Sequence, residues 1–142
     1  MASDQSIRGL FAQDIDRKIE EVIKVDQTDE AIVRDEIREY IATNAIKSHF
    51  AGIYEEYRET PNKPHEGIAV WVSGFFGSGK SSFAKMLGLS IENRSLEGQL
   101  AGTLFAEQVG DSRIDVLLRQ IAEHIPTHAV IFDVSTDRGI RS

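Results

Sequence analysis

Cysteine is missing from this chain altogether, so disulfides, thiolate metal sites and cysteine nucleophiles are excluded, and the composition suits a reducing compartment. No apolar run reaches the roughly 18 residues that span a bilayer. The opening MASDQSIRGLFAQDID carries acids where a secretory leader has a basic region followed by an apolar one. These absences predict a soluble, cytoplasmic protein with no membrane partner. Positive charge is also scarce: 16 Lys plus Arg face 23 Asp plus Glu, a net charge of −7. Such a chain lacks the broad positive field of a non-specific nucleic-acid binder, so any DNA role is expected to be indirect or to rest on other regions. The three prolines and eleven glycines are too few to keep 142 residues unfolded, and an apolar fraction of 41% fits one globular core.

The acids are concentrated at one end. Residues 1–66 hold 9 basic and 15 acidic side chains, whereas residues 67–142 hold 7 and 8. Ile32, Val33, Ile37, Tyr40, Ile41, Ala45 and Ile46 follow a possible N-cap at Thr28 with spacings of three and four, which predicts an amphipathic helix with a solvated charged face. The pattern continues through Phe50, Ile53, Tyr54 and Tyr57, with a possible break near Gly52. It ends in Thr60-Pro61-Asn62-Lys63-Pro64-His65-Glu66-Gly67, which a helix does not absorb. The expected organisation is a helical N-terminal extension over 1–66 and a partial nucleotide-binding domain over 67–142.

Past that boundary Ile68-Ala69-Val70-Trp71-Val72 has the continuous apolar character of a strand buried on both faces, and Ala129-Val130-Ile131-Phe132 has it again. Helical spacing is expected from Lys80 to Leu89, more weakly from Leu96 to Val109, and clearly after Asp111-Ser112, until Pro126.

Between the first strand-like run and the first of these helices lies Gly74-Phe75-Phe76-Gly77-Ser78-Gly79-Lys80-Ser81, which fills every fixed position of the phosphate-loop (Walker A) pattern GxxxxGK[ST]. Glycines let backbone N–H groups close around phosphate oxygens, and the following helix N-terminus adds its positive dipole end. ATP and Mg²⁺ are the expected cofactors. Gly74, Phe75, Phe76, Gly77, Ser78, Gly79, Lys80, Ser81 and Ser82 are the expected phosphate-contacting residues, with Lys80 on the β- and γ-phosphates and the Ser81 hydroxyl on Mg²⁺. Two adjacent aromatics are unusual in such a loop. Phe75 and Phe76 either pack on neighbouring elements and brace it, or meet a partner.

Asp133, after the second strand-like run, has the form of a Walker B acid, although Val134 stands where many ATPases place a glutamate. His124 and His128 share a helical i, i+4 spacing, but Pro126 lies between them, so they read as loop residues. Asn62-Lys63-Pro64-His65 lacks the aspartate of a guanine-specifying motif and precedes the loop, which favours adenine. Val25-Asp26-Gln27-Thr28-Asp29 reads either as helix-start signals or as a segment facing the base.

The chain resembles the N-terminal end of the large P-loop ATPase of bacteriophage exclusion (BREX) systems, related to that of phage growth limitation systems. The resemblance rests on Ile7-Arg8-Gly9-Leu10-Phe11 with Asp14-Ile15-Asp16-Arg17, on Val25 to Glu30, and above all on the double-phenylalanine loop following Val70-Trp71-Val72-Ser73. It implies an α/β fold, an AAA+/ASCE-like P-loop NTPase with an incomplete parallel sheet preceded by the helical extension. It also implies an ATPase that works in antiphage defence beside a methyltransferase and an alkaline-phosphatase-like protein, with a possible homo-oligomer. In relatives the 129–132 run resembles the second strand, which weakens Asp133 as the Walker B acid. Two other readings stand beside it: a small-molecule kinase of the adenylylsulfate kinase type, which 70–87 also resembles, and a non-catalytic nucleotide-binding interaction module. Two strands fall short of the five or so of a doubly wound sheet, so the expectation is the front part of a longer ATPase, weak or inactive alone.

Overall fold

The computed structural model describes residues 29–64 and 67–132. Five helices carry nearly all of the regular structure: α1 (Glu30–Glu39), α2 (Asn44–Arg58), α3 (Lys80–Glu92), α4 (Ala101–Val109) and α5 (Ser112–His124). Between α3 and α4 a hairpin pairs β1 (Ser95–Leu96) with β2 (Gln99–Leu100), antiparallel, Ser95 opposite Leu100. Among the described residues no helix is long and apolar enough to cross a membrane.

The helix starts follow local chemistry. Asp29 caps α1 by accepting from the N–H groups of Ala31 and Ile32 at 3.0 and 3.3 Å, so the cap lies one residue beyond the expected Thr28. The interruption of the N-terminal helical run falls at 40–43 rather than near Gly52, which lies inside α2 on its exposed side. Tyr40 turns to an extended backbone, and Thr43 Oγ1 accepts from Ile46 N at 3.3 Å to open a new helix. A strong cap three residues past an apolar pair stops one helix and starts another more effectively than a glycine with free space around it. Asp111 caps α5 in the same way, through Arg113 N and Ile114 N.

One apolar core takes residues from all five helices. Val33 and Ile37 come from α1, Phe50 and Tyr54 from α2, Met86 and Leu89 from α3, Leu104 and Phe105 from α4, Ile114, Leu117 and Ile121 from α5. At its centre Phe50 meets four rings: Phe83 at 4.3 Å, Phe105 at 4.9 Å, Tyr54 at 5.8 Å and Tyr40 at 6.1 Å. α1 is tied to α3 by a buried ion pair, with Glu36 Oε2 2.5 Å from Lys85 Nζ and Lys85 1% exposed. Its outer face holds the hairpin: Glu30 accepts from Glu97 N at 2.9 Å, Arg34 pairs with the Glu97 carboxylate, and Arg38 donates to Gln99 at 2.7 Å. The charged face expected to be solvated is therefore partly used in packing.

The parallel P-loop sheet is not present among the described residues. Residues 68–72 and 129–132 are extended, yet neither joins a ladder, and the only sheet there is the two-residue hairpin. A β-branched apolar run becomes a strand only when another segment pairs with its backbone, and pairing depends on distant sequence. Here the helices bury one another, and Val70, Trp71, Val130 and Phe132 remain exposed. The second run instead lies along α3, where a Cβ on Gly88 would come within 2.9 Å of Ile131 Cδ1. It is moored by Tyr57, which donates to Thr127 Oγ1 at 2.9 Å while that hydroxyl donates to Ile125 O.

Truncation of Phe50 to alanine removes the ring on which four others converge and is expected to cost about 3–5 kcal/mol in urea denaturation. A second test uses pH. Burial pushes the Tyr54 hydroxyl far above its ordinary range, outweighing the opposing effect of its 2.7 Å bond to Ser90 Oγ. The native state keeps this phenol neutral while the unfolded chain ionises it above about pH 10, so stability is full below that pH and declines as pH rises through it. Melting temperatures should fall between about pH 9 and pH 11. Tyr54→Phe should flatten that fall, while Tyr40, raised in the same direction by burial, keeps part of it.

Candidate functional site

The loop at 74–81 leads directly into α3. Gly77 at φ +76° and Gly79 at φ +84° occupy the left-handed region, which a side chain enters only with strain, and Ser78 N closes the turn on Phe75 O at 3.1 Å. At Gly74 a Cβ would lie 2.6 Å from Ser78 Oγ, so a larger residue there would have to turn that hydroxyl aside. Lys80 folds back over the loop, its Nζ donating to Gly74 O at 2.8 Å, Phe75 O at 2.6 Å and Ser78 Oγ at 3.4 Å.

The start of α3 differs from the other helix starts. α1, α2 and α5 open under side-chain acceptors from Asp29, Thr43 and Asp111, and α4 receives one from Asn93, whose Oδ1 accepts from Gly102 N at 2.9 Å. α3 opens on Gly79, which has no side chain to offer, and its first turn carries Lys80, Ser81 and Ser82 but no acid. First-turn N–H groups, a dipole end and a lysine thus face the same small region, the arrangement that favours an anion.

A cavity of about 680 Å³ opens beside the loop. Gly74, Phe75, Ser78, Gly79, Lys80 and Ser82 form one side, and Tyr40, Ile46, His49 and Ile53 of the helical half form the other. Among the described residues no carboxylate lines this cavity. Its formal charge comes from Lys80, with His49 as the other titratable cation. A lining that carries a lysine and no described carboxylate favours negative charge in the cleft.

Of the expected site residues, Gly74, Phe75, Ser78, Gly79, Lys80 and Ser82 reach the cavity, while Phe76, Gly77 and Ser81 do not line it. Phe75 is 91% exposed and Phe76 fully so, and among the described residues neither packs firmly on a neighbouring element. Asp133 and residues 25–28 lie outside the described residues, as does His65. His124 donates from Nδ1 to Gln120 O at 2.8 Å, and His128 Nδ1 lies 2.9 Å from Glu92 Oε1, so the two histidines are engaged separately. Sequence reasoning missed the cavity's helical wall. The aromatic and aliphatic residues at 40, 41, 46, 49 and 53 carried only a helical period, and nothing in that period distinguishes a core face from a ligand face.

No family model matches this chain, and no solved structure matches it.

Replacing Gly79 by alanine forces a Cβ into the left-handed region and is expected to destabilise the protein by about 1–2 kcal/mol in denaturant titrations. Gly67→Ala, at a position with open space and no positive φ, is the control and should leave the midpoint almost unchanged.

Proposed function

We propose that this protein binds ATP with Mg²⁺, the loop at 74–81 holding the phosphates and the adjoining cavity receiving the rest of the ligand. The observation that carries the reading is the loop's junction with α3. Two glycines at positive φ, an uncapped helix start and Lys80 converge at a cleft that no carboxylate lines among the described residues. Lys80 would exchange its contacts to the Gly74 and Phe75 carbonyls for charged phosphate oxygens, a stronger ion-to-ion hydrogen bond.

Among the described residues no group of three or more His, Asp or Glu could hold a metal ion. The Ser81 hydroxyl is one hard oxygen donor, which suits a Mg²⁺ that arrives with the phosphates and keeps most of its water. That ion, when bound, neutralises phosphate charge. The protein's own part is to bind and orient the chain of phosphates through loop N–H groups and Lys80.

The resemblance of the double-phenylalanine loop supports a biological setting, an ATPase component of BREX-type phage defence. In that setting the exposed Phe75 and Phe76 suit contact with another protein of the assembly, such as its methyltransferase or its phosphatase-like component. Among the described residues no carboxylate lines the cavity to orient an attacking water, and turnover by the isolated chain is expected to stay near background in a phosphate-release assay.

Calorimetric titration with Mg·ATP tests the proposal. Lys80→Ala is expected to weaken binding at least about tenfold, and Ser81→Ala to shrink the difference between affinities measured with Mg²⁺ and with EDTA. Unchanged affinity in both variants would sink the phosphate-loop reading.

A further inference from the structure

The same cavity has a second half that phosphates do not need. Tyr40 and Ile41 from the α1–α2 link, Ile46 and His49 from α2, and Trp71 from the segment entering the loop form a mainly apolar wall continuous with Gly74, Phe75 and Lys80. Trp71 is 90% exposed and Ile41 83%, so both present large apolar surfaces to the open cleft. Phosphate oxygens gain nothing from such surfaces, whereas a flat heterocycle gains from stacking on an indole and from apolar contact. The volume, about 680 Å³, lies in the range of pockets that hold whole small ligands.

The Tyr40 side of the wall is also fixed in place relative to α3. Tyr40 rests on Phe50 at 6.1 Å and Phe105 at 5.9 Å, and Phe83 in the first turn of α3 stacks on that same Phe50 at 4.3 Å. Gln108 Nε2 holds the Tyr40 carbonyl at 3.0 Å. One aromatic cluster therefore positions both the lysine-bearing helix and the wall facing it, as a ligand anionic at one end and planar at the other requires.

We propose that this wall is the ring site of the protein: Trp71, Ile41, Tyr40 and His49 take the heterocyclic base of the ligand whose phosphates the loop binds. The inference rests on the phosphate-loop reading above and adds that ligand selection depends on the helical half of the chain. The wall's polar side-chain groups are the His49 ring, the Tyr40 hydroxyl and the Trp71 indole N–H, few beside its apolar surface, so the base is held mainly by shape and stacking.

Trp71 is the only tryptophan in the chain, which gives a direct readout. In the full 142-residue protein, Mg·ATP should change its emission, while inorganic triphosphate with Mg²⁺ should bind and leave it nearly unaltered. By calorimetry, Trp71→Ala should weaken ATP about tenfold or more and triphosphate by less than about twofold, whereas Lys80→Ala should weaken both. Ile41→Ser, at an equally exposed position, should repeat the ATP-selective loss and decides the matter if Trp71→Ala fails to fold. Equal affinities of the wild type for ATP and triphosphate, or equal losses for both ligands in the wall variants, would overturn the ring site and leave the phosphate loop standing. Binding of neither ligand by the wild type would remove the phosphate reading and the ring site together.

Discussion

The ring of Phe50 is the point through which the rest of the structure is connected. Its partners belong to the α1–α2 link (Tyr40), α2 (Tyr54), α3 (Phe83) and α4 (Phe105), so the packing of four segments is decided around one side chain. Aromatic pairs prefer particular offsets and tilts, and the stacked contact to Phe83 beside the edge-on contact to Phe105 sets the rotation of α3 and α4 together. α3 begins at the phosphate loop. The direction in which Lys80 and the first-turn N–H groups face is thus set by a residue thirty positions upstream, in the half of the chain that carries none of the motif.

Charge distribution follows the same division. α1 uses Glu36 on the buried Lys85 of α3, and Glu30, Arg34 and Arg38 on the hairpin after α3. On the far side Glu55 of α2 pairs with Arg113 of α5 at 2.6 Å, which raises the pKa of that guanidinium. Replacing a buried pair by apolar side chains often costs little, but removing one member leaves a charge without compensation. Glu36 and Lys85 therefore contribute more to the relative placement of α1 and α3 than to net stability. Among the described residues, the ionisable side chains that line the cleft beside the loop are Lys80, His49 and Tyr40, and the acids of these helix contacts are not among them.

The parts of this fold that depend on neighbours in sequence were legible in it. The 3.6-residue periods marked the helices, Pro61 and Pro64 marked the end of the helical half, Asp111 marked the start of α5, and the GxxxxGK[ST] spacing marked a loop in which Gly77 and Gly79 take positive φ. The parts that depend on distant partners were not. Residues 68–72 and 129–132 have the composition of buried strands, but a strand is a relation between two backbones, and among the described residues no second backbone pairs with either. The acidic helix faces looked solvated because the cations that meet them, Lys85 and Arg113, lie about fifty residues or more further along the chain. The cavity's helical wall was hidden for the same reason: Ile41 and His49 became relevant to the loop only once Phe83 had stacked on Phe50.

That dependence makes the loop asymmetric. Its exit is secured by α3, through Phe83 against Phe50 and Lys85 against Glu36, so the lysine and the helix N-terminus are placed by core packing. Its entry, 68–73, is extended and carries no ladder hydrogen bonds, and it places Trp71 on the cleft by chain connectivity alone. A ligand spanning the cleft would meet a fixed anion site at one end and, at the other, an indole whose contacts it must itself supply. Binding free energy gained at the ring end then includes the cost of ordering Trp71, whereas that gained at the phosphate end does not. On the proposed nucleotide-binding reading, preorganisation would place the strong, direction-setting contacts at α3 and leave discrimination among ligands with the same phosphates to the entry segment and the helical wall opposite it.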